Sequence, residues 1–136
     1  MSTTFSKEEK AAMRAAAAEA KAAKEGADLE AACLAAIAEM TGTDKELAET
    51  LHRLVKTHTS LQAKTWYGMP AYTNADGKVV VFFQSAAKFK ARYGTIGFQQ
   101  DANLDEGNFW PNAYAVTKLT AADQKRLLAL LMKAVS

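Results

Sequence analysis

The 136-residue chain has one cysteine, two histidines, two prolines and seven glycines. The single cysteine, Cys33, excludes an internal disulfide and any metal site built from several cysteines, and it fits a reducing compartment. So few prolines and glycines, beside 49% hydrophobic and 24% charged residues, exclude a collagen-like or wholly disordered chain. No apolar run reaches the roughly 18 residues of a membrane span, and the first residues hold no signal-peptide core. The expectation is a soluble cytoplasmic protein. The net charge of +2 is too small to indicate nucleic acid. No Gly-rich phosphate loop and no legible Ser–His–acid order is present. His52 and His58 stand six residues apart, which is not one helix face, so they make a poor metal clamp.

Alanine is what the chain has in excess. It holds 29, and 15 of them lie between Ala11 and Ala38. The charge is also uneven. Residues 1–60 carry two more acids than bases, and residues 61–136 carry four more bases than acids. Of the 12 aromatic residues, only Phe5 precedes residue 61. No linker separates the two halves, so the asymmetry lies within one body.

The first half reads as helix. Ser6 and Glu9 have capping-box spacing, and Gly26 is expected to end a first, alanine-rich helix near residue 25. Apart from Met13 that helix lacks large apolar residues, which predicts weak docking. A second helix follows, with Leu29, Ala32, Cys33, Ala36, Ile37 and Met40 on one face. Thr41-Gly42 stops it, and Thr43 and Glu46 suggest a new capping box. The third helix then presents Leu47, Leu51, Leu54, Val55 and His58 to the core, with His52 directed elsewhere. Cys33 reads as a small core residue.

From Lys64 the period changes to that of strands. Thr65–Tyr67 and Ala71–Thr73 are short strand candidates around Gly68-Met69-Pro70. Asn74-Ala75-Asp76-Gly77 is a turn, and Lys78–Phe83 is β-branched and aromatic. Ala91–Phe98 and Asn112–Leu119 complete five strands, with Gly94 and Gly97 marking a bulge or a close approach. Thr120 and Asp123 cap a last helix. Strands gathered between helices predict an α+β fold. It has an antiparallel sheet of about five strands, helices packed on one face, an N-terminal Ala-rich helical extension over residues 1–26, a single domain over residues 27–136, and a C-terminal helix.

Two features can carry function. Trp66, Tyr67, Met69, Tyr72, Phe83 and Trp110 belong to an aromatic cluster that either fills the core or lines a concave face of the sheet. Lys88, Lys90 and Arg92 share one face if Lys88–Tyr93 is a strand, and a cationic row beside aromatics suits a carboxylate or phosphate. The expected ligand site therefore comprises Trp66, Tyr67, Met69, Tyr72, Phe83, Lys88, Lys90 and Trp110, and the expected ligand is small and either anionic or aromatic. No catalytic residue or cofactor is identified. Two carboxylate groups remain, namely Asp101, Asp105 and Glu106, and Glu39, Asp44, Glu46 and Glu49. Neither has the spacing of an EF-hand loop.

The stretch Trp66-Tyr67-Gly68-Met69-Pro70-Ala71-Tyr72, followed by Gly77–Phe83, Lys88-Phe89-Lys90 and Gly94–Phe98, resembles the YdhG-like family, a domain family without an assigned activity. The resemblance covers about residues 43 to 135. It implies an α+β fold somewhat like frataxin in shape. For some members it implies an iron-chaperone role, which gives the alternative reading of an iron-binding protein that uses the carboxylates. The primary reading is a non-enzymatic binding protein with an aromatic and cationic pocket on its sheet, without nucleic-acid or membrane partners.

Overall fold

The structure is a computed structural model that describes residues 6–136. Phe5 lies outside the described residues. Two helices come first, α1 over Lys7–Ala38 and α2 over Gly42–His58. Five strands follow: β1 Gln62–Trp66, β2 Met69–Thr73, β3 Val79–Gln84, β4 Gly94–Phe98 and β5 Ala113–Val116. Helix α3, Ala121–Ala134, ends the fold. The strands form one antiparallel sheet in the order β1-β2-β3-β4-β5. The α+β class, the five antiparallel strands and the terminal helices are as the sequence predicts. Among the described residues no helix is long and apolar enough to cross a membrane.

Two expected helices prove to be one. Helix α1 runs through Gly26 without a break. Glycine ends helices mainly by taking a left-handed conformation, and Gly26 does not take one. Ser6 starts the helix as expected, its hydroxyl accepting the Glu9 N–H at 3.1 Å. Only Cys33 and Ile37 of α1 are buried, and residues 7–25 are exposed throughout. The expected division at residue 26 therefore falls inside a continuous helix.

The capping box at Thr43 does not form. Helix α2 begins at Gly42 after Thr41, which makes no side-chain cap. Asp44 instead accepts the backbone N–H of Ala86 (2.8 Å) and of Ala87 (3.0 Å), tying the start of α2 to the chain after β3. At Thr120 the same spacing does close a box, with Asp123 Oδ2 accepting the Thr120 N–H at 3.0 Å. Those hydrogen bonds hold the Asp123 carboxyl below its usual range.

The core lies between the helices and one face of the sheet. Leu47, Leu51 and Val55 of α2 and Leu127 and Leu131 of α3 meet Ala63, Tyr72, Val81, Phe83, Ile96 and Phe98. A register shift after Tyr72 sends two successive residues, Val80 and Val81, into this core. Among the described residues, no helix lies over the opposite face. Phe82 lies there, directly across from Gly97, and its ring occupies the space a Cβ at Gly97 would need. The close approach expected at Gly97 is thus that of a ring laid on bare backbone.

Candidate functional site

The β1–β2 hairpin turns on two residues. Trp66 pairs with Met69, and Tyr67 and Gly68 between them have φ of 50° and 77°. Positive φ at both positions is the pattern of a type I′ turn, where Asn-Gly is the favoured pair. Tyrosine is uncommon there, because its Cβ crowds the backbone. The side chain is 81% exposed, so burial does not offset that cost. Its ring stands edge-on to Trp66, 5.1 Å between centroids, and Trp66 in turn meets Phe82 at 5.4 Å.

Strand alternation divides the eight expected site residues between two faces. Ala63 and Tyr72 point into the core, so Lys64, Trp66 and Met69 point outward. Tyr72 and Phe83 are fully buried under the helices. Trp66 and Met69 are half-buried on the outer face. Lys88 reaches the hairpin, its Nζ donating to the Tyr67 carbonyl at 3.3 Å. Lys90 sits in the turn before β4 with φ 51°. Trp110, 36% exposed, lies in the loop between β4 and β5. The structure therefore brings together Trp66, Tyr67, Met69 and Lys88, and separates Tyr72 and Phe83 from them.

The expected cationic row is also corrected. Residues 86–90 form turns and residues 92–93 a bend, not a strand. Asp44 holds the Ala86 and Ala87 N–H groups, and the Ala91 N–H returns to the Ala86 carbonyl at 2.9 Å. Without the two-residue period, alternation no longer puts Lys88, Lys90 and Arg92 on one face.

The outer face has cations of its own, outside the expected site. Lys64, Trp66, Lys78, Val79, Gln99, Gln100 and Asp101 line a cavity of about 250 Å³. Lys64 and Lys78 supply two ammonium groups, Trp66 supplies an aromatic wall, and Gln99 and Gln100 supply amides. Asp101 accepts a hydrogen bond from Asn74 Nδ2 at 3.0 Å, which engages part of its charge. Period two along Ala63–Trp66 was the available signal for Lys64.

A second cluster sits on the core side. Tyr72 OH is 2.9 Å from His52 Nδ1, and Cys33 Sγ is 4.0 Å from the same nitrogen. Glu30 Oε1 is 3.6 Å from His52 Nε2 and 3.8 Å from Lys56 Nζ. We assign the Nε2–H tautomer, which faces the carboxylate and leaves Nδ1 to accept from Tyr72. It is His52 that meets the core and His58 that is exposed, the reverse of the expectation, because His58 is the last residue of α2 and lies beyond Val55, the last buried one. The order thiol, imidazole, carboxylate is that of a nucleophile, base and orienting acid. Cys33, however, is completely buried, burial pushes its thiol above the usual value, and Tyr72 occupies the imidazole. Burial likewise pushes the His52 pKa down and the Tyr72 pKa strongly up. Cys33, His52 and Tyr72 are thus each favoured in the uncharged form, and together they join α1, α2 and β2 as a strut.

The carboxylates do not assemble. Among the described residues no group of three or more His, Cys, Asp or Glu side chains is placed to hold one metal ion. Asp44 is spent on backbone N–H groups, and Glu106 pairs with Lys133 at 3.0 Å. Compared with family models, with curated proteins and with solved structures, the chain has no match.

Proposed function

We propose that this protein is a non-enzymatic binding module that takes a small planar anion, an aromatic carboxylate, on the outer face of its sheet. One observation carries the reading: Lys64, Lys78 and Trp66 line a single cavity on the face that no helix covers. Two ammonium groups exceed the one carboxylate of Asp101, so the cavity favours negative charge. The indole offers a π-face or edge to an aromatic ring. A volume of about 250 Å³ lies just below that of drug-sized sites and suits one ring with its carboxylate. The neighbouring Tyr67, exposed and held at positive φ, fits a side chain kept for contact, since strained backbone collects at functional sites.

The resemblance to the YdhG-like family belongs to the same proposal. Its most specific residues, Trp66 to Tyr72, are the hairpin that carries the aromatic wall.

Thermal unfolding in the presence of benzoate, salicylate, indole-3-acetate and 4-hydroxybenzoate tests the reading. At least one of them should raise the midpoint in a concentration-dependent way. The double change Lys64→Glu and Lys78→Glu should abolish that rise while leaving the ligand-free midpoint within a few degrees. A midpoint that no compound moves, or a rise that survives the double change, contradicts it.

A further inference from the structure

The sheet has a second unsatisfied feature, the free edge of β5. This strand pairs only with β4. The Phe98 N–H donates to the Asn112 carbonyl at 2.7 Å, so antiparallel alternation turns the backbone of Tyr114 and Val116 toward β4. The N–H and C=O groups of Ala113 and Ala115 then point away from the sheet. Both residues are exposed, and among the described residues neither has another backbone partner. Their methyl side chains put nothing bulky in the way of an approaching strand.

Beside that edge runs a groove of about 280 Å³ between β5 and α3. Its floor is apolar: Tyr114, Leu119 and Leu130 are only partly buried, and Leu127 lies beneath. Lys118 and Arg126 line it as well. The one acid there, Asp123, is engaged by both the N–H and the hydroxyl of Thr120. Backbone donors and acceptors, an apolar floor and an excess of positive charge thus lie along one line.

We propose that this edge and groove bind an extended peptide segment of another protein, rich in carboxylates, which adds to the sheet as a sixth strand. Main-chain bonds to Ala113 and Ala115 supply the pairing, the groove takes its apolar side chains, and Lys118 and Arg126 take its acids. Charge decides between this partner and a second copy of the chain. None of the five strands contains an aspartate or glutamate, so a copy pairing through any of them brings no strand carboxylate to Lys118 and Arg126. The site is separate from the cavity at Trp66 and does not depend on it.

The probe is a fluorescein-labelled octapeptide of alternating threonine and valine flanked on both sides by paired glutamates, with a paired-lysine counterpart as control. Fluorescence anisotropy should show the acidic peptide binding at least about tenfold more tightly than the basic one. Ala115→Pro removes an outward N–H while sparing the bonds to β4, a substitution that sheet edges tolerate. It should weaken binding about tenfold or more, as should Arg126→Glu. Backbone amide shifts should map to residues 113–119 and the first two turns of α3. Equal binding of the two peptides, no binding at millimolar concentration, or shifts confined to other residues overturns the proposal. So does a doubled mass in sedimentation that Ala115→Pro abolishes, since that outcome assigns the edge to self-pairing.

Discussion

His52 is held by contacts that suit its neutral form. Burial outweighs the attraction of Glu30 and lowers its pKa from 6.5. In the unfolded chain the imidazole takes up its proton near the ordinary value, so below that pH the unfolded state binds more protons than the folded one. The contribution of His52 is present above about pH 6.5 and is lost as the pH falls through the lower folded value. Urea midpoints at pH 7.5 and pH 5.5 should differ in that direction, and His52→Gln should shrink the difference. An unchanged difference in the variant contradicts the role. Tyr72→Phe removes the donor to Nδ1 and should cost about 1–2 kcal/mol, read by the same unfolding curves. Tyr67 makes the opposite case. Asparagine adopts its conformation more readily, so Tyr67→Asn should stabilise the fold by about 0.5–1 kcal/mol while weakening any ligand that contacts the ring. These properties were hidden at the level of single residues. Cys33 read correctly as a core residue, but nothing local announces that it shares a nitrogen with Tyr72, 39 positions away in a different element.

At the scale of elements, periodicity and turn chemistry placed the strands and helices, and competition between neighbouring signals displaced their ends. Thr43–Glu46 and Thr120–Asp123 have the same spacing, yet only the second closes a box. The difference is one of register: Thr43 lies inside α2, which already begins at Gly42, whereas Thr120 is the N-cap of α3. The carboxylate of Asp44, next to Thr43, caps the turn after β3 from 42 positions away. Asp44→Ala should therefore loosen residues 86–93 as well as the start of α2. The expected loss is about 1–3 kcal/mol, with faster amide exchange at Ala86 and Ala87 as its signature. Gly26 shows the converse, a glycine read as a stop that lies within a helix. A Cβ there meets nothing within 4 Å, so Gly26→Ala should strengthen α1 by up to about 1 kcal/mol. Far-UV circular dichroism should show increased helicity over the exposed amino-terminal half, and a loss of helical signal contradicts the assignment. The cationic row at Lys88 fails for a related reason: the rule of alternation needs a strand, and the stretch that Asp44 ties down at Ala86 and Ala87 runs as turns and a bend.

At the scale of the whole molecule, the described residues form a sheet with three helices on one face and none on the other. The acidic, alanine-rich half supplies the helices α1 and α2, and the basic, aromatic half supplies the sheet and α3. Their association leaves Trp66, Phe82, Lys64 and Lys78 on the uncovered side. The sequence showed that aromatics and cations gather in that half, and it showed that alternation must send some of them outward. It did not show which, because the register shift after Tyr72 and the turn after β3 are set by contacts between distant segments. Titrating the isotope-labelled protein with salicylate and indole-3-acetate, while following its backbone amides by NMR, tests the proposed site most directly. Saturable shifts are expected at Lys64–Trp66, Gly77–Val79 and Gln99–Asp101, and none at the buried strut of Cys33, His52 and Tyr72. Amides on the outer face that stay unmoved at millimolar ligand, or shifts that cluster on the helical side, would contradict it.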